Sequence, residues 1–179
     1  MKLFRKILIA NRGEIALRII HTCTRMGIST VAIYSDADAD ALFVKQANEA
    51  IRIGGTSPTD SYLNMDKVIA AAQQTGADAI HPGYGFLSEN ATFAQRCATE
   101  GIVFIGPNAH AIDQMGSKRQ AKLLAQQYNV PTIPGYQGTD QSIETLSAQA
   151  HNIGFPVLLK ASAGGGGNGM RIVRTPDQM

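Results

Sequence analysis

The sequence predicts an α/β protein built on a doubly wound parallel sheet. Three observations support this prediction. Short apolar runs of strand length recur through residues 1–107, segments with apolar side chains at three- and four-residue spacing separate them, and glycines follow some of those segments. Strands that alternate with helices at this pitch are joined by right-handed crossovers, so the sheet is parallel and carries helices on both faces.

The elements of this sheet follow from the apolar pattern in chain order. The predicted strands are residues 6–10, 30–34, 49–53, 77–81 and 102–105. The predicted helices are residues 14–26, a segment capped by Asp60 or Ser61 that runs to 75, and residues 90–100. Gly27 and Gly76 stand where helices are expected to stop. Ser88 is a plausible N-cap for the third helix, and Phe86 and Leu87 are expected to pack inward.

The pattern changes after Pro107. Helices are predicted at 109–115, 119–128 and 142–152, with a loop rich in proline and glycine at 131–138. Two apolar runs, 157–159 and 170–173, then flank Lys160 and a glycine-rich stretch, which indicates a β-hairpin. The predicted organisation is a domain over 1–107, a helical linker over 108–133 and an incomplete domain over 134–179.

Composition excludes several classes of protein. The 179 residues are 44% hydrophobic and 17% charged, which is sufficient for a folded core. A net charge of +2 argues against a nucleic-acid partner, and no apolar run approaches the roughly 20 residues that span a bilayer. The amino terminus lacks the pattern of a secretory signal, and Cys23 and Cys97 are isolated. We therefore expect a cytoplasmic protein with reduced core thiols.

The glycine-rich stretch has the chemistry of a phosphate-covering lid. Glycine N–H groups approach an anion without a Cβ in the way, and Lys160 at the base of the hairpin supplies a point charge. A P-loop is excluded because no Lys-Ser or Lys-Thr pair follows Gly169 and no helix is predicted there. A plain flexible loop is the alternative. Lys118, at the head of a helix, is a solvated side chain unless it faces the same cleft as Lys160.

A second candidate site lies just past the fourth predicted strand, at the edge where open α/β sheets bind ligands. His81 and Glu89, at the two ends of this loop, are candidate active-site groups, although such a pattern is more often architectural than catalytic. Dinucleotide binding is disfavoured because the first strand–helix turn has a single glycine, Gly13. Asp36, Asp38 and Asp40 are therefore predicted to lie in a solvated loop. Spacing indicates neither a Ser–His–Asp arrangement nor a metal cluster.

Taken together, these motifs resemble the biotin carboxylases. The resemblance rests on residues 7–16, 81–90, 104–107 and 115–118 and on the glycine lid, and it extends over essentially the whole chain in order. Residues 134–138 and 161–163 are closest to the α subunits of acyl-CoA carboxylases of the methylcrotonyl or propionyl type.

The resemblance implies a pre-ATP-grasp domain followed by the beginning of an ATP-grasp domain. It implies use of MgATP and bicarbonate to carboxylate biotin on a carrier domain, with a carboxyltransferase subunit as partner and a homodimer of the full subunit. By position, Lys118 and Lys160 match the nucleotide-binding lysines, and Gly166 and Gly167 match the lid glycines that contact phosphate. The residues that bind Mg²⁺ and carry out catalysis are expected beyond this chain, which is therefore expected to be inactive alone.

One position departs from the family pattern. Asn168 stands where these enzymes usually carry Lys or Arg, and the loss of a charged donor to phosphate is predicted to weaken closure of the lid over ATP. Two alternatives to the biotin carboxylase interpretation stay open: another ATP-grasp ligase, such as a carbamoyl-phosphate synthetase, and a non-catalytic interaction module on the same sheet.

Overall fold

A computed structural model describes residues 4–161 and 169–179 of the chain. The chain divides into two compact units, Met1–Asp113 and Gln114–Met179. Three residues of the predicted lid, Gly166, Gly167 and Asn168, lie outside the described residues.

The first unit contains a five-stranded sheet in the order β3-β2-β1-β4-β5. Its strands are β1 (Lys6–Ile9), β2 (Ser29–Ser35), β3 (Glu49–Gly54), β4 (Ala79–His81) and β5 (Val103–Phe104). All four pairings are parallel, which confirms the predicted sheet. The central strand β1 pairs with β2 on one side and β4 on the other: Ile7 aligns with Thr30 and with Ala79. Strands β2 and β3 are added on one side of β1, and β4 and β5 on the other, so the order in which strands are added reverses between β1 and β4.

Two apolar clusters cover the two faces of this sheet. The helices are α1 (Gly13–Arg25), α2 (Leu42–Gln46), α3 (Met65–Thr75), α4 (Ala91–Thr99) and α5 (Ala109–Gly116), the last of which crosses the boundary between the units. Successive residues of β1 point to opposite faces, so Leu8 belongs to one cluster and Ile9 to the other. Helix α1 covers the Ile9 face, and α3 and α4 cover the Leu8 face. The doubly wound prediction is thereby confirmed.

Two of the predicted helix starts were wrong. Helix α3 is capped by Asn64, whose side chain accepts from Lys67 N–H at 3.1 Å, and not by Asp60 or Ser61. Ser61 is fully buried and donates instead to the Ser57 carbonyl at 2.7 Å. Helix α4 is capped by Asn90, at 2.8 Å from Phe93 N, rather than by Ser88. Helix α2 was not predicted, because its five residues are too few to show a helical period.

The second unit contains helices α6 (Lys118–Gln127) and α7 (Ile143–Ile153) and the predicted hairpin. Strands β6 (Val157–Lys160) and β7 (Met170–Val173) pair antiparallel, with Lys160 opposite Met170. Apolar side chains of this hairpin stay exposed, Leu158 and Ile172 among them, whereas Val173 is buried.

No helix within residues 4–161 and 169–179 is long and apolar enough to cross a bilayer.

Candidate functional site

The loop after β4 has an unusual backbone, and three of its residues have a positive φ. Gly83 and Gly85 have φ values of 64° and 66°, and Phe86 has a φ of 41°. Glycine adopts this region without a steric penalty, but for phenylalanine it is strained. A strained non-glycine residue persists only where surrounding contacts hold it. The loop lies at the carboxyl edge of the parallel sheet, where β1, β2 and β4 all end.

Asn11 holds this loop from the end of β1. Its side chain is buried, and its amide nitrogen donates to the carbonyl oxygens of Pro82 and Tyr84, both at 2.7 Å. Its amide oxygen accepts from the backbone N–H of Arg12 at 2.9 Å. One side chain therefore satisfies both carbonyls around Gly83 and fixes the distance between the β1 and β4 ends.

Aromatic and acidic contacts hold the rest of the loop. The Tyr84 hydroxyl donates to the carboxylate of Glu14 in the first turn of α1. The Phe86 ring stacks on the buried Tyr62 ring, with centroids 5.0 Å apart and an interplanar angle of 12°. The Arg12 guanidinium lies 5.7 Å from each of these two ring centroids, within the range of a cation–π contact.

The prediction that the acidic loop is solvated was wrong for Asp38. Its side chain is 18% exposed, and its Oδ2 accepts from the hydroxyls of Ser35 and Tyr62, both at 2.7 Å. The Arg12 Nη1 lies 3.5 Å from the same oxygen. Burial by itself would raise the pKa of Asp38, but the hydroxyl donors and the Arg12 charge together lower it. Asp40, by contrast, is fully exposed, as predicted.

His81 and Glu89 occupy opposite ends of the loop. His81 ends β4 and is half-buried, and its Nδ1 accepts from Gly83 N–H at 3.1 Å. Burial lowers the pKa of His81, so the neutral ring is favoured, with its proton on Nε2. Glu89 is exposed and precedes the α4 cap. The two side chains thus sit in different environments of the same loop.

The two candidate lysines belong to the second unit. Lys118 is the first residue of α6 and follows Ser117, whose hydroxyl oxygen accepts from Gln120 N–H at 3.4 Å. Lys160 is the last residue of β6, and both lysine side chains are exposed. Lys160 pairs with Met170 at the end of β6, separated by three residues from the glycine-rich stretch, at the base of the hairpin as predicted.

A metal site is not evident in the part of the chain that the structure describes. No group of three or more His, Cys, Asp or Glu side chains converges within residues 4–161 and 169–179. Asp36 instead forms a bidentate ion pair with Arg52, at 2.6 and 3.0 Å.

Gly83→Ala is expected to lower the free energy of unfolding by about 2 kcal/mol or more. The new Cβ would lie 2.8 Å from Asn11 Nδ2 in a left-handed conformation, so it would displace the side chain that holds the loop. Urea denaturation measures the loss. Gly85→Ala is the matched control: its φ is 66°, but a Cβ there meets nothing within 4 Å, and about 1 kcal/mol is expected. Equal losses in the two variants would contradict the contact with Asn11.

Sequence reasoning missed Asn11 and Tyr62 as parts of this site. Asn11 was recognised only as part of the turn after the first strand, and Tyr62 fell inside the helix predicted to follow Asp60 or Ser61. A polar side chain directly after a buried strand is a usable signal, because its position at the carboxyl edge is known once the strand is recognised. Tyr62 gives no such signal, because its partners Asp38 and Phe86 are 24 residues away in opposite directions.

The fold and the hairpin define the class of protein: a parallel α/β domain followed by part of an ATP-grasp domain. Residues 3–112 match the family model described as biotin carboxylase, N-terminal domain, and residues 117–179 match carbamoyl-phosphate synthase L chain, ATP binding domain. The chain belongs to the biotin carboxylase family. The family predicted from the motifs is thereby confirmed.

Relatives and solved structures agree with this assignment. The chain is 51% identical over 177 residues to biotin carboxylase 1 of Bacillus subtilis, covering 99% of this chain and 39% of that protein. It is 55% identical over 172 residues to the mitochondrial methylcrotonoyl-CoA carboxylase subunit alpha of rice, covering 96% of this chain and 23% of that protein. These 179 residues therefore span well under half the length of the relatives.

Among solved structures, the chain resembles the biotin carboxylase domain of 2-oxoglutarate carboxylase from Hydrogenobacter thermophilus. That structure is a dimer in complex with MgADP, ADP and bicarbonate. The TM-score is 0.92 with 49% sequence identity, and the match covers 99% of this chain and 39% of that chain.

Proposed function

We propose that these residues are the amino-terminal part of the biotin carboxylase component of a biotin-dependent acyl-CoA carboxylase. In the complete protein, the reaction would be ATP- and bicarbonate-dependent carboxylation of carrier-bound biotin. The main support is that both family matches occur in the expected order over nearly the whole chain. The fold also has a TM-score of 0.92 to a domain solved with MgADP and bicarbonate.

Within this reaction, the chain would contribute electrostatic positioning of the nucleotide. Lys118 and Lys160 would bind phosphate oxygens as point charges, and the backbone N–H groups of Gly166 and Gly167 would cover them. Both lysine side chains are exposed, so a phosphate can reach them. Mg²⁺, when bound, neutralises the charge that builds up on the phosphates, and by the family resemblance its ligands would lie beyond this chain.

The finer features of the complete enzyme are part of the same proposal. A biotin carrier domain and a carboxyltransferase subunit would be its partners, and the full subunit would form a homodimer, as the Hydrogenobacter domain does. The α-subunit relatives favour an acyl-CoA carboxylase. A reducing compartment such as the cytoplasm suits Cys23 and Cys97, which are both buried free thiols.

A chimera tests this proposal directly. Residues 1–179 are joined to the part of Bacillus subtilis biotin carboxylase 1 that follows the matched region. We expect the chimera to hydrolyse ATP in a manner that requires bicarbonate and is stimulated by free biotin, and the 179-residue chain alone to show no turnover above background. A folded chimera that binds ATP but has no biotin-stimulated activity would contradict the proposal.

The alternative ligase, a carbamoyl-phosphate synthetase, differs from a biotin carboxylase in the acceptor that it uses. The match of residues 117–179 to the carbamoyl-phosphate synthase domain is the observation that favours this alternative. A carbamoyl-phosphate synthetase uses ammonia as acceptor, so this alternative predicts ammonium-stimulated ATP hydrolysis when residues 1–179 are joined instead to the later part of such a synthetase. Activity in neither chimera would favour the non-catalytic interaction module.

Asn168→Lys in the chimera is expected to lower the KM for ATP by up to about tenfold, because a charged donor to phosphate replaces a neutral one. The prediction comes from the family pattern, since Asn168 lies outside the described residues. Asn168→Gln is the control, because it lengthens the side chain without adding charge. Steady-state kinetics at saturating bicarbonate measure the change, and an unaltered KM would show that this side chain does not contact ATP.

A further inference from the structure

The loop at 82–87 is linked to residues after β1 and at the end of β2 through a single carboxylate. Asp38 Oδ2 accepts from Ser35 at the end of β2 and from Tyr62 just before α3, and it pairs with Arg12, which follows β1. Tyr62 stacks on the Phe86 ring and the Arg12 guanidinium lies over it. The aromatic ring and the cation that contact Phe86 therefore both belong to residues that also bind Asp38.

The hydrogen bonds of Tyr62 determine the orientation of its ring. Its hydroxyl donates to Asp38 at 2.7 Å and accepts from the backbone N–H of Ser35 at 3.1 Å, so both of its hydrogen-bonding functions are satisfied. The side chain is fully buried, and a ring held at its hydroxyl end cannot slide in its own plane. The flat stack with Phe86 depends on this fixed plane.

Phe86 needs this support because its backbone is strained. A phenylalanine with a φ of 41° relaxes unless packing holds it, and the neighbouring Gly85 offers no resistance to a change of path. Asn11 holds the loop only at Pro82 and Tyr84. The half of the loop from Gly85 to Ser88 is held by the Phe86 ring, by the buried side chain of Leu87 and by the Ser88 N–H to Gly85 carbonyl bond of 2.9 Å. Of these, the stack of Phe86 on Tyr62 is the one that depends on Asp38.

We propose that Asp38 is a positioning residue that holds the 82–87 loop, through Tyr62 and Arg12, in the geometry that the carboxylation reaction requires. The reaction itself rests on the proposed function above. Asp38 touches neither substrate nor nucleotide in this proposal. We expect its effect on the turnover step, because the loop lies outside residues 117–179, which match the ATP-binding family model.

Hydrogen exchange on the 179-residue chain tests whether Asp38 holds the loop in place. In Asp38→Ala we expect exchange at the Ser88 amide to accelerate about tenfold, while the Ile28 amide, at the opposite end of α1, stays unchanged. Tyr62→Phe should accelerate Ser88 exchange as well. The double variant should accelerate exchange by less than the product of the two single effects, because both changes remove the Tyr62–Asp38 hydrogen bond.

Asp40→Asn is the matched control, because Asp40 lies two residues away and is fully exposed, with Lys45 3.9 Å distant. It should leave Ser88 exchange unaltered. Unchanged exchange at Ser88 in Asp38→Ala, or equal acceleration at Ser88 and Ile28, would overturn the proposal, the second because it indicates general loss of stability. Tyr62→Phe, which keeps the buried ring and removes the hydrogen bond to Asp38, provides the same readout if Asp38→Ala does not fold.

Kinetics of the chimera test whether the position of the loop affects the reaction. We expect Asp38→Ala to lower kcat about tenfold with the KM for ATP unchanged, and Asp38→Asn to recover most of the loss because its amide oxygen still accepts from Tyr62. A raised KM for ATP at unchanged kcat would overturn the positioning role. A parent chimera without activity would contradict the proposed function, whereas the exchange experiment would still report on the link between Asp38 and the loop.

Discussion

Replacing Asn11 with alanine is expected to lower the free energy of unfolding by about 3–5 kcal/mol, a large part of the 5–15 kcal/mol typical of a folded domain. The substitution leaves the carbonyls of Pro82 and Tyr84 and the N–H of Arg12 without the partner that each now has. Asn11 is 4% exposed, so water cannot readily replace its amide. Chemical denaturation of the 179-residue chain measures the loss.

Asn11→Asp separates the hydrogen bonds from the volume of the side chain. The carboxylate has nearly the same shape but presents acceptors to two carbonyl oxygens at 2.7 Å, so we expect a loss at least as large as that of alanine at neutral pH. The folded state would raise the pKa of this carboxyl, because only its protonated form can donate. The defect should therefore shrink as the pH falls through that raised pKa, and a pH-independent loss would contradict this account.

Replacing Lys160 with methionine in the chimera is expected to raise the KM for ATP about 10- to 100-fold, the range that a charged hydrogen bond to phosphate supports. Lys160 ends β6, separated by three residues from the glycine-rich stretch, and its side chain is exposed, so loss of the amine should leave folding intact. Methionine keeps the apolar stem and removes the charge. Steady-state kinetics measure the change, and thermal unfolding checks the fold.

Lys160→Arg is the control for charge against shape. Arginine keeps the positive charge and should retain most of the affinity, although its planar fork differs from an ammonium group. Lys45→Met provides a second control, because Lys45 is an exposed lysine of the first unit whose ion pair with Asp40 spans 3.9 Å. An unchanged KM in Lys160→Met, or an equal increase in Lys45→Met, would remove Lys160 from the nucleotide site.

The sheet was predictable because its signals are local. Residues 7–9 form a continuous apolar run, as expected of a strand buried on both faces, and the helical period of α1 is visible in its own thirteen residues. The hairpin was predictable for the same reason, since an apolar run stands on each side of the glycines. Helix starts were less secure, because Ser61, Asp60 and Asn64 are all acceptable caps by type. Only the structure shows that Ser61 bonds to Ser57 instead.

Contacts between distant segments were not predictable. The acidic run at 36–40 looked solvated along its whole length, yet Asp38 is largely buried whereas Asp40 is fully exposed. The difference depends on Tyr62, which lies 24 residues further along the chain, and on Arg12, which lies 26 residues back. Neither partner is marked by composition or periodicity.

By itself, the sequence determined the class of fold, the family and the placement of Lys160 at the base of a glycine-rich hairpin, because each of these follows from residue order over short distances. The tertiary structure alone decided how the loop after β4 is held. That loop is fixed by Asn11, Tyr62 and Asp38, which come from three other segments. They meet because parallel pairing brings the strand ends to one edge, and burial there requires each polar group to find a partner.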